Sequence, residues 1–290
     1  MREHRLRLRD GRALCCAEFG DPAGAPVFYF HGFPGSRLEA ATAATAAADR
    51  RVRLIAVDRP GYGGSDFAPG RCIGDFADDV AQAATALGLP RFSALGVSGG
   101  GPYLLACART LAPRLVTAGI FCGLGPLDRP DATEAMTPFS RLALGLGRRA
   151  PGSARLLAVP VAAVLRRWPE RVVDHLAKTL PEPDRAVLAD PALRPLFAAS
   201  YRESVRGGAR GPAHDLMLYT RPWGFGLDEI PLPVHLWHGE RDTVVPASIA
   251  RAQQRALRDC RARFFPGEAH FSVVARHLRA MLDLLRDGGV

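Results

Sequence analysis

Short, continuously apolar runs alternate with longer amphipathic stretches along most of this chain. Residues 27–30 (Val-Phe-Tyr-Phe), 53–57 (Arg-Leu-Ile-Ala-Val) and 115–121 (Leu-Val-Thr-Ala-Gly-Ile-Phe) read as strands, and 27–30 as one buried on both faces. Residues 91–95, 234–238 and 263–265 read as further short strands. Helices are expected over 40–48 and 74–87, and from Pro102 onward. Ahead of them, residues 4–19 form two runs joined by Asp10-Gly11, the first strictly alternating, which is the pattern of a β-hairpin. Strands that alternate with helices imply an α/β fold with a mostly parallel sheet and helices on both faces.

The pattern changes at residue 125. From there to 229 the periodicity is helical, with segments near 141–147, 153–168, 170–180, 184–189 and 193–205, punctuated by prolines such as Pro151, Pro169, Pro181 and Pro195. Residues 207–212, Gly-Gly-Ala-Arg-Gly-Pro, read as a loop. The expected organisation is a core of residues 1–124 and 230–290, with a helical cap of residues 125–229 inserted after the sixth strand.

Composition narrows the partners. A chain of 290 residues can bury one large core, and 48% hydrophobic with 23% charged residues is ordinary for a globular protein. The net charge of +9 invites a nucleic-acid reading. All but one of the 38 basic residues are arginines (the exception is Lys178), and they are spread along the chain without a stripe of interleaved aromatics. No nucleic-acid partner is therefore expected. The longest apolar runs, such as 156–165, hold about ten residues, too few to span a bilayer. No apolar segment follows the charged N-terminus, so no membrane partner and a cytoplasmic location are expected. Cys15, Cys16, Cys72, Cys107, Cys122 and Cys260 form no C-x-x-C pair and read as buried reduced thiols.

The chemistry concentrates at Gly96-Val97-Ser98-Gly99-Gly100, between the strand at 91–95 and the helix that starts near Pro102. This is the G-x-S-x-G nucleophile elbow in its strand–turn–helix setting, with small residues two positions either side of the serine so that strand and helix can pack closely. Ser98 is the candidate nucleophile. Downstream, Asp242 ends the run Gly239-Glu240-Arg241-Asp242 after the strand at 234–238, and His270 lies in Gly267-Glu268-Ala269-His270 after the strand at 263–265. His270 is the candidate base and Asp242 the acid that orients it. Glu240 and Asp128 are the alternatives for the acid, His238 and His277 for the base.

On the elbow and on the chain order Ser98, Asp242, His270, the sequence resembles the α/β-hydrolase superfamily. The resemblance implies a mostly parallel eight-stranded sheet with an inserted helical cap. It also implies an oxyanion hole from the Gly99 amide and from Phe33, in His31-Gly32-Phe33-Pro34-Gly35-Ser36, which is similar to the family's His-Gly loop. Pro34 has no N–H to offer, and His31 then braces the loop. Asp58-Arg59-Pro60-Gly61-Tyr62-Gly63-Gly64-Ser65 resembles a structural loop of the family. It lacks the motif of a phosphate cradle. Ser98, where relatives that open epoxides or displace halide have aspartate, disfavours those reactions. The loop also departs from the His-Gly-Gly-Gly of many lipases and from the His-Gly-Gly-Pro-Gly of proline iminopeptidases.

The expected activity is a serine hydrolase that cleaves an ester, or a related lactone or thioester, of a small apolar molecule. A lyase or C–C bond hydrolase on the same triad, and a ligand-binding protein with little turnover, stay open. No cofactor and no metal are implied. Trp168, Trp223, Phe225 and Phe197 are the candidates to shape the pocket.

Overall fold

The computed structural model describes residues 1–127, 133–134, 136–149 and 151–289; the side chains of 139, 151–155 and 157 are outside that description. Eight strands form one sheet: β1 (Arg2–Arg7), β2 (Ala13–Gly20), β3 (Ala25–Phe30), β4 (Val52–Val57), β5 (Phe92–Val97), β6 (Leu115–Phe121), β7 (Val234–Gly239) and β8 (Cys260–Phe265). Their order is β1-β2-β4-β3-β5-β6-β7-β8. β2 runs antiparallel to β1 and β4, and every other pair is parallel.

Burial accounts for the sequence pattern. β5 and β7 are buried at every position, as strands covered on both faces must be. Along β3 the side chains alternate between two cores: Phe28 and Phe30 join Phe76, Phe92 and Tyr103 on one face, while Val27 and Tyr29 join Trp237, Met281 and Leu282 on the other. The first core packs against α2 (Phe76–Ala86) and α3 (Gly101–Thr110), the second against α1 (Ala44–Asp49) and α11 (His270–Arg286). α10 (Ala247–Ala256) joins β7 to β8. β8 is an edge strand in which the exposed Arg261 interrupts the apolar run, so that only its last three residues read as a strand. The helix expected over 40–48 is in fact two pieces, a 3-10 segment over Arg37–Ala43 and then α1.

Between β6 and β7 the chain leaves the sheet for α4 (Pro138–Arg149), α5 (Pro151–Arg167), α6 (Pro169–Thr179), α7 (Glu182–Ala189), α8 (Arg194–Ser204) and α9 (Arg210–Tyr219). α9 corrects the second half of the loop expected over 207–212: residues 207–209 lie outside the helices as expected, and the helix begins at Arg210. Its first turn contains Gly211 and Pro212, and the first-turn amides of a helix have no intrahelical partner, so the proline removes nothing. Gly211 is required by packing, because a Cβ there would stand 2.4 Å from the Gly61 carbonyl oxygen. Two thiols also depart from expectation: Cys72 is exposed and Cys260 half-buried. Among the described residues no helix is long and apolar enough to cross a membrane.

Candidate active site

β5 delivers Ser98 to a turn where its φ is +52°, a left-handed conformation that costs energy for any residue with a side chain. The turn is held by contact. A Cβ on Gly100 would lie 2.1 Å from the Phe30 carbonyl oxygen, and one on Gly96 would lie 2.9 Å from the Gly100 oxygen and 3.0 Å from Leu104 Cβ. The two small residues of the motif are therefore what lets β5, β3 and α3 close around the serine.

Asp242 sits on the turn after β7. Its Oδ1 accepts the Val244 and Val245 amides, both at 2.8 Å, which fixes the carboxylate. Its Oδ2 lies 2.7 Å from His270 Nδ1, so the geometry assigns the neutral ring's proton to Nδ1 and leaves Nε2 as the acceptor. His270 is the first residue of α11. Burial alone would lower its pKa, but Asp242 and Cys122 outweigh it and hold the imidazole well above its ordinary value. Ser98 and His270 line one cavity of about 260 Å³, with no hydrogen bond between them. Such contacts often tighten only once substrate is bound.

The two amides expected to receive an oxyanion are neighbours. A Cβ on Gly99 would lie 2.8 Å from Phe33 Cβ and 3.3 Å from Phe33 N, so the elbow and the His31–Ser36 loop touch. The Phe33 amide donates to no described group. His31 is buried and spans its own loop, with Nδ1 2.9 Å from the Gly32 oxygen and Nε2 accepting the Arg59 amide at 3.4 Å. Its pKa lies well below normal through burial and the nearby Arg59 charge, which keeps the ring neutral.

Of the other described candidates for base and acid, none lines the cavity. His238 is fully buried, its Nε2 2.8 Å from the Val245 oxygen and 3.4 Å from the same Asp242 Oδ2 that meets His270. His277 stacks on Phe265 with ring centroids 3.8 Å apart. Glu240 pairs with Arg251 at the surface, and Asp128 lies outside the described residues. Of the four aromatic residues expected around the pocket, only Phe197 lines it, packed edge-on against Phe271. Trp223 and Phe225 meet at a 45° tilt at the core, with ring centroids 6.0 Å apart, and the Arg167 and Arg171 guanidinium carbons stand 5.7 and 5.8 Å from the ring centroid of the exposed Trp168.

Two acids at the site have no counterpart in the sequence reading. Glu39 lines the cavity, accepts the Tyr29 hydroxyl at 2.8 Å and receives the Gly32 amide at 3.0 and 3.1 Å on its two oxygens. Burial raises its pKa. Asp184 of α7 is fully buried and accepts the amides of His270, Phe271 and Ser272 at 2.8–3.0 Å, capping α11 where His270 stands. Cys122, Asp242 and His270 offer sulfur, oxygen and nitrogen donors within 4.8 Å of one another, a set whose chemistry suits a soft divalent ion. The Asp242–His270 hydrogen bond already engages two of the three.

The family described as alpha/beta hydrolase fold matches residues 25–275. No curated protein sequence matches the chain. Among solved structures it is similar to a thermophilic esterase from Thermogutta terrifontis, at 21% identity over 100% of both chains and a TM-score of 0.70. It is similar to an esterase from Rhodococcus sp. ECU1013, at 22% identity over 98% of this chain and 100% of that one, TM-score 0.68. An epoxide hydrolase from Vigna radiata is also similar, at 16% identity over 99% of this chain and 96% of that one, TM-score 0.68.

Proposed function

The chain belongs to the alpha/beta hydrolase fold family, and from that premise we propose that it is a serine hydrolase acting on carboxylic esters or related acyl compounds of small apolar molecules. The observation that carries the reading is a serine in left-handed conformation at a strand-to-helix turn, sharing one cavity with a carboxylate-bound histidine. In this reading Ser98 Oγ attacks the acyl carbonyl while His270 Nε2 takes its proton. Asp242 keeps the other ring proton on Nδ1 and stabilises the imidazolium. The carbonyl oxygen becomes an alkoxide that accepts the Phe33 and Gly99 amides. His270 then passes its proton to the leaving alcohol, and the acyl group stays on Ser98. A water deprotonated by His270 attacks the acyl-enzyme and releases the acid.

Val187, Leu193, Phe197, Tyr201 and Phe271 line one side of the cavity and support an apolar substrate part. The structural neighbours named as esterases share the fold at 21–22% identity, and the acyl-transfer reading rests on the site. The test uses a fluorophosphonate probe together with a panel of esters, thioesters and β-diketones. Wild type is expected to be labelled at Ser98 and to turn over short-chain esters. Ser98→Ala should fold normally, escape labelling and lose about 10³-fold or more in kcat. Cleavage of the diketones alone would favour the C–C bond reading, and retained ester turnover in Ser98→Ala would exclude the mechanism.

A further inference from the structure

Behind the Phe33 and Gly99 amides lies a polar cluster that the mechanism above does not use. Its centre is Asp215 of α9, fully buried, whose two oxygens accept four donors. Oδ2 accepts Arg59 Nε at 2.9 Å and the Tyr62 hydroxyl at 2.9 Å, and faces the Tyr219 hydroxyl at 3.2 Å. Oδ1 accepts the Tyr103 hydroxyl at 2.6 Å and an Arg71 Nη2 hydrogen bond. Burial would raise the Asp215 carboxyl, but Arg71 and Arg59 overcome it and hold the pKa below the carboxylate range. Two guanidinium groups on one carboxylate leave a net positive charge in a buried site.

A buried ion cluster is poor evidence of stabilisation, since apolar packing of the same volume is often as stable or more so. Its outer bonds show where it acts. The Arg59 fork donates Nη1 to the His31 oxygen and Nη2 to the Gly32 oxygen, the latter at 3.1 Å. The Gly32 carbonyl and the Phe33 N–H belong to one peptide unit. That carbonyl also accepts the Gly35 amide at 3.0 Å and faces His31 Nδ1 at 2.9 Å. A carbonyl that accepts several hydrogen bonds, one of them from a cation, polarises its own peptide and makes the N–H a stronger donor. The Tyr219 hydroxyl has one proton and two acceptors in reach; the shorter contact takes it to the Gly99 oxygen at 3.0 Å, with Asp215 Oδ2 3.2 Å away, and pins the turn that carries the second amide.

We propose that Arg59, oriented by Asp215, is the positioning residue of the oxyanion hole, and that Tyr219 is its counterpart on the elbow. Arg59 fixes the plane of the Gly32–Phe33 peptide and strengthens the Phe33 amide toward the developing alkoxide. Tyr219 fixes Gly99. Because Asp215 and Tyr219 both stand on α9, the helical insertion reaches beneath the core's catalytic turn and holds it. The inference rests on the serine-hydrolase reading, since it presupposes an oxyanion at these amides.

Tyr219→Phe and Arg59→Lys test it, with Asp215→Asn alongside. The first removes one hydroxyl. The second keeps the charge but cannot span both carbonyls. Each is assayed for kcat and KM on a p-nitrophenyl ester, for inhibition by a matching trifluoromethyl ketone, which forms an alkoxide on the serine, and for thermal melting. Tyr219→Phe is expected to lower kcat about tenfold and Arg59→Lys about a hundredfold, with KM changed by less than about threefold. Ketone affinity should fall by the same factor as kcat/KM, and the midpoint of the His270 acid limb should not move. A purely structural role would lower melting temperature without this match. Folded variants with unchanged kcat and ketone affinity, or ketone affinity that does not follow kcat/KM, would overturn the proposal. In that case wild type would still carry the fluorophosphonate on Ser98. Absence of that label would instead overturn the serine mechanism, and this inference with it.

Discussion

At the scale of single residues, the site separates groups that titrate from groups that only hold. His270 must be neutral to accept the Ser98 proton, and its pKa is raised, so activity should climb with pH along a limb set by this imidazole. Asp242→Asn removes the counter-ion and disturbs the tautomer. It should lower kcat by up to about 10⁴-fold and move the acid limb of kcat/KM to lower pH, because the largest charge that favours the imidazolium is then gone while burial still opposes it. A pH–rate profile of the variant checks both effects, and an unmoved limb would mean that another carboxylate faces His270. The triad candidates were legible in sequence because each stands on a short motif after a recognisable strand. Asp184, Glu39 and Asp215 were not. Asp184 meets its amide partners across 86–88 residues, and Asp215 meets Arg59, Arg71 and Tyr103 across 112–156. Glu39 is close to Gly32 in sequence, but it sits in an alanine-rich stretch whose pattern signals a helix face and nothing else.

At the scale of elements, strands buried on both faces announced themselves and helices set by close backbone contact did not. β6 runs over Leu115–Phe121, the span its apolar run indicates. α9 was hidden because Gly211 and Pro212 have the composition of a turn, while their actual causes are a tertiary contact and a free first-turn position. This gives opposite expectations for two glycines. Gly211→Ala places a Cβ 2.4 Å from the Gly61 oxygen, backbone against backbone, and should destabilise by about 1–3 kcal/mol. It should also reduce activity, since α9 carries Asp215 and Tyr219. Gly145→Ala, inside α4 with nothing within 4 Å of the new Cβ, should stabilise by about 0.5–1 kcal/mol. Thermal or urea unfolding of the two variants measures both, and equal effects would mean that the Gly61 contact is not formed.

At the scale of the whole molecule, the excess of arginine is put to use inside the fold as well as on its surface. Arg37, nearly buried, joins Glu3 of β1 at 2.6 Å, Asp58 after β4 at 2.7 Å and Glu203 of α8 at 2.6 Å, so one side chain links edge strand, core and insertion. Glu3 is half exposed and can rehydrate if the cation is lost, whereas Asp58 has no exposure at all. Burial raises the Asp58 carboxyl from 3.8 to about 6, with Arg37 acting against it. The folded state therefore binds this proton more tightly than the unfolded chain. Stability from the group is complete below about pH 4 and is lost as the pH rises through 6. Removing Arg37 takes away the main opposition, pushes that pKa further up and widens the window in which the buried charge is uncompensated. Arg37→Ala should cost about 3–5 kcal/mol at pH 8, the range for a broken buried pair. The deficit relative to wild type should shrink on going to pH 5, where Asp58 can take its proton and be buried neutral. Urea unfolding of both proteins at the two pH values gives the difference directly. A deficit that is the same at pH 5 and pH 8 would mean that Asp58 does not titrate between them, and that Arg37 acts through packing alone.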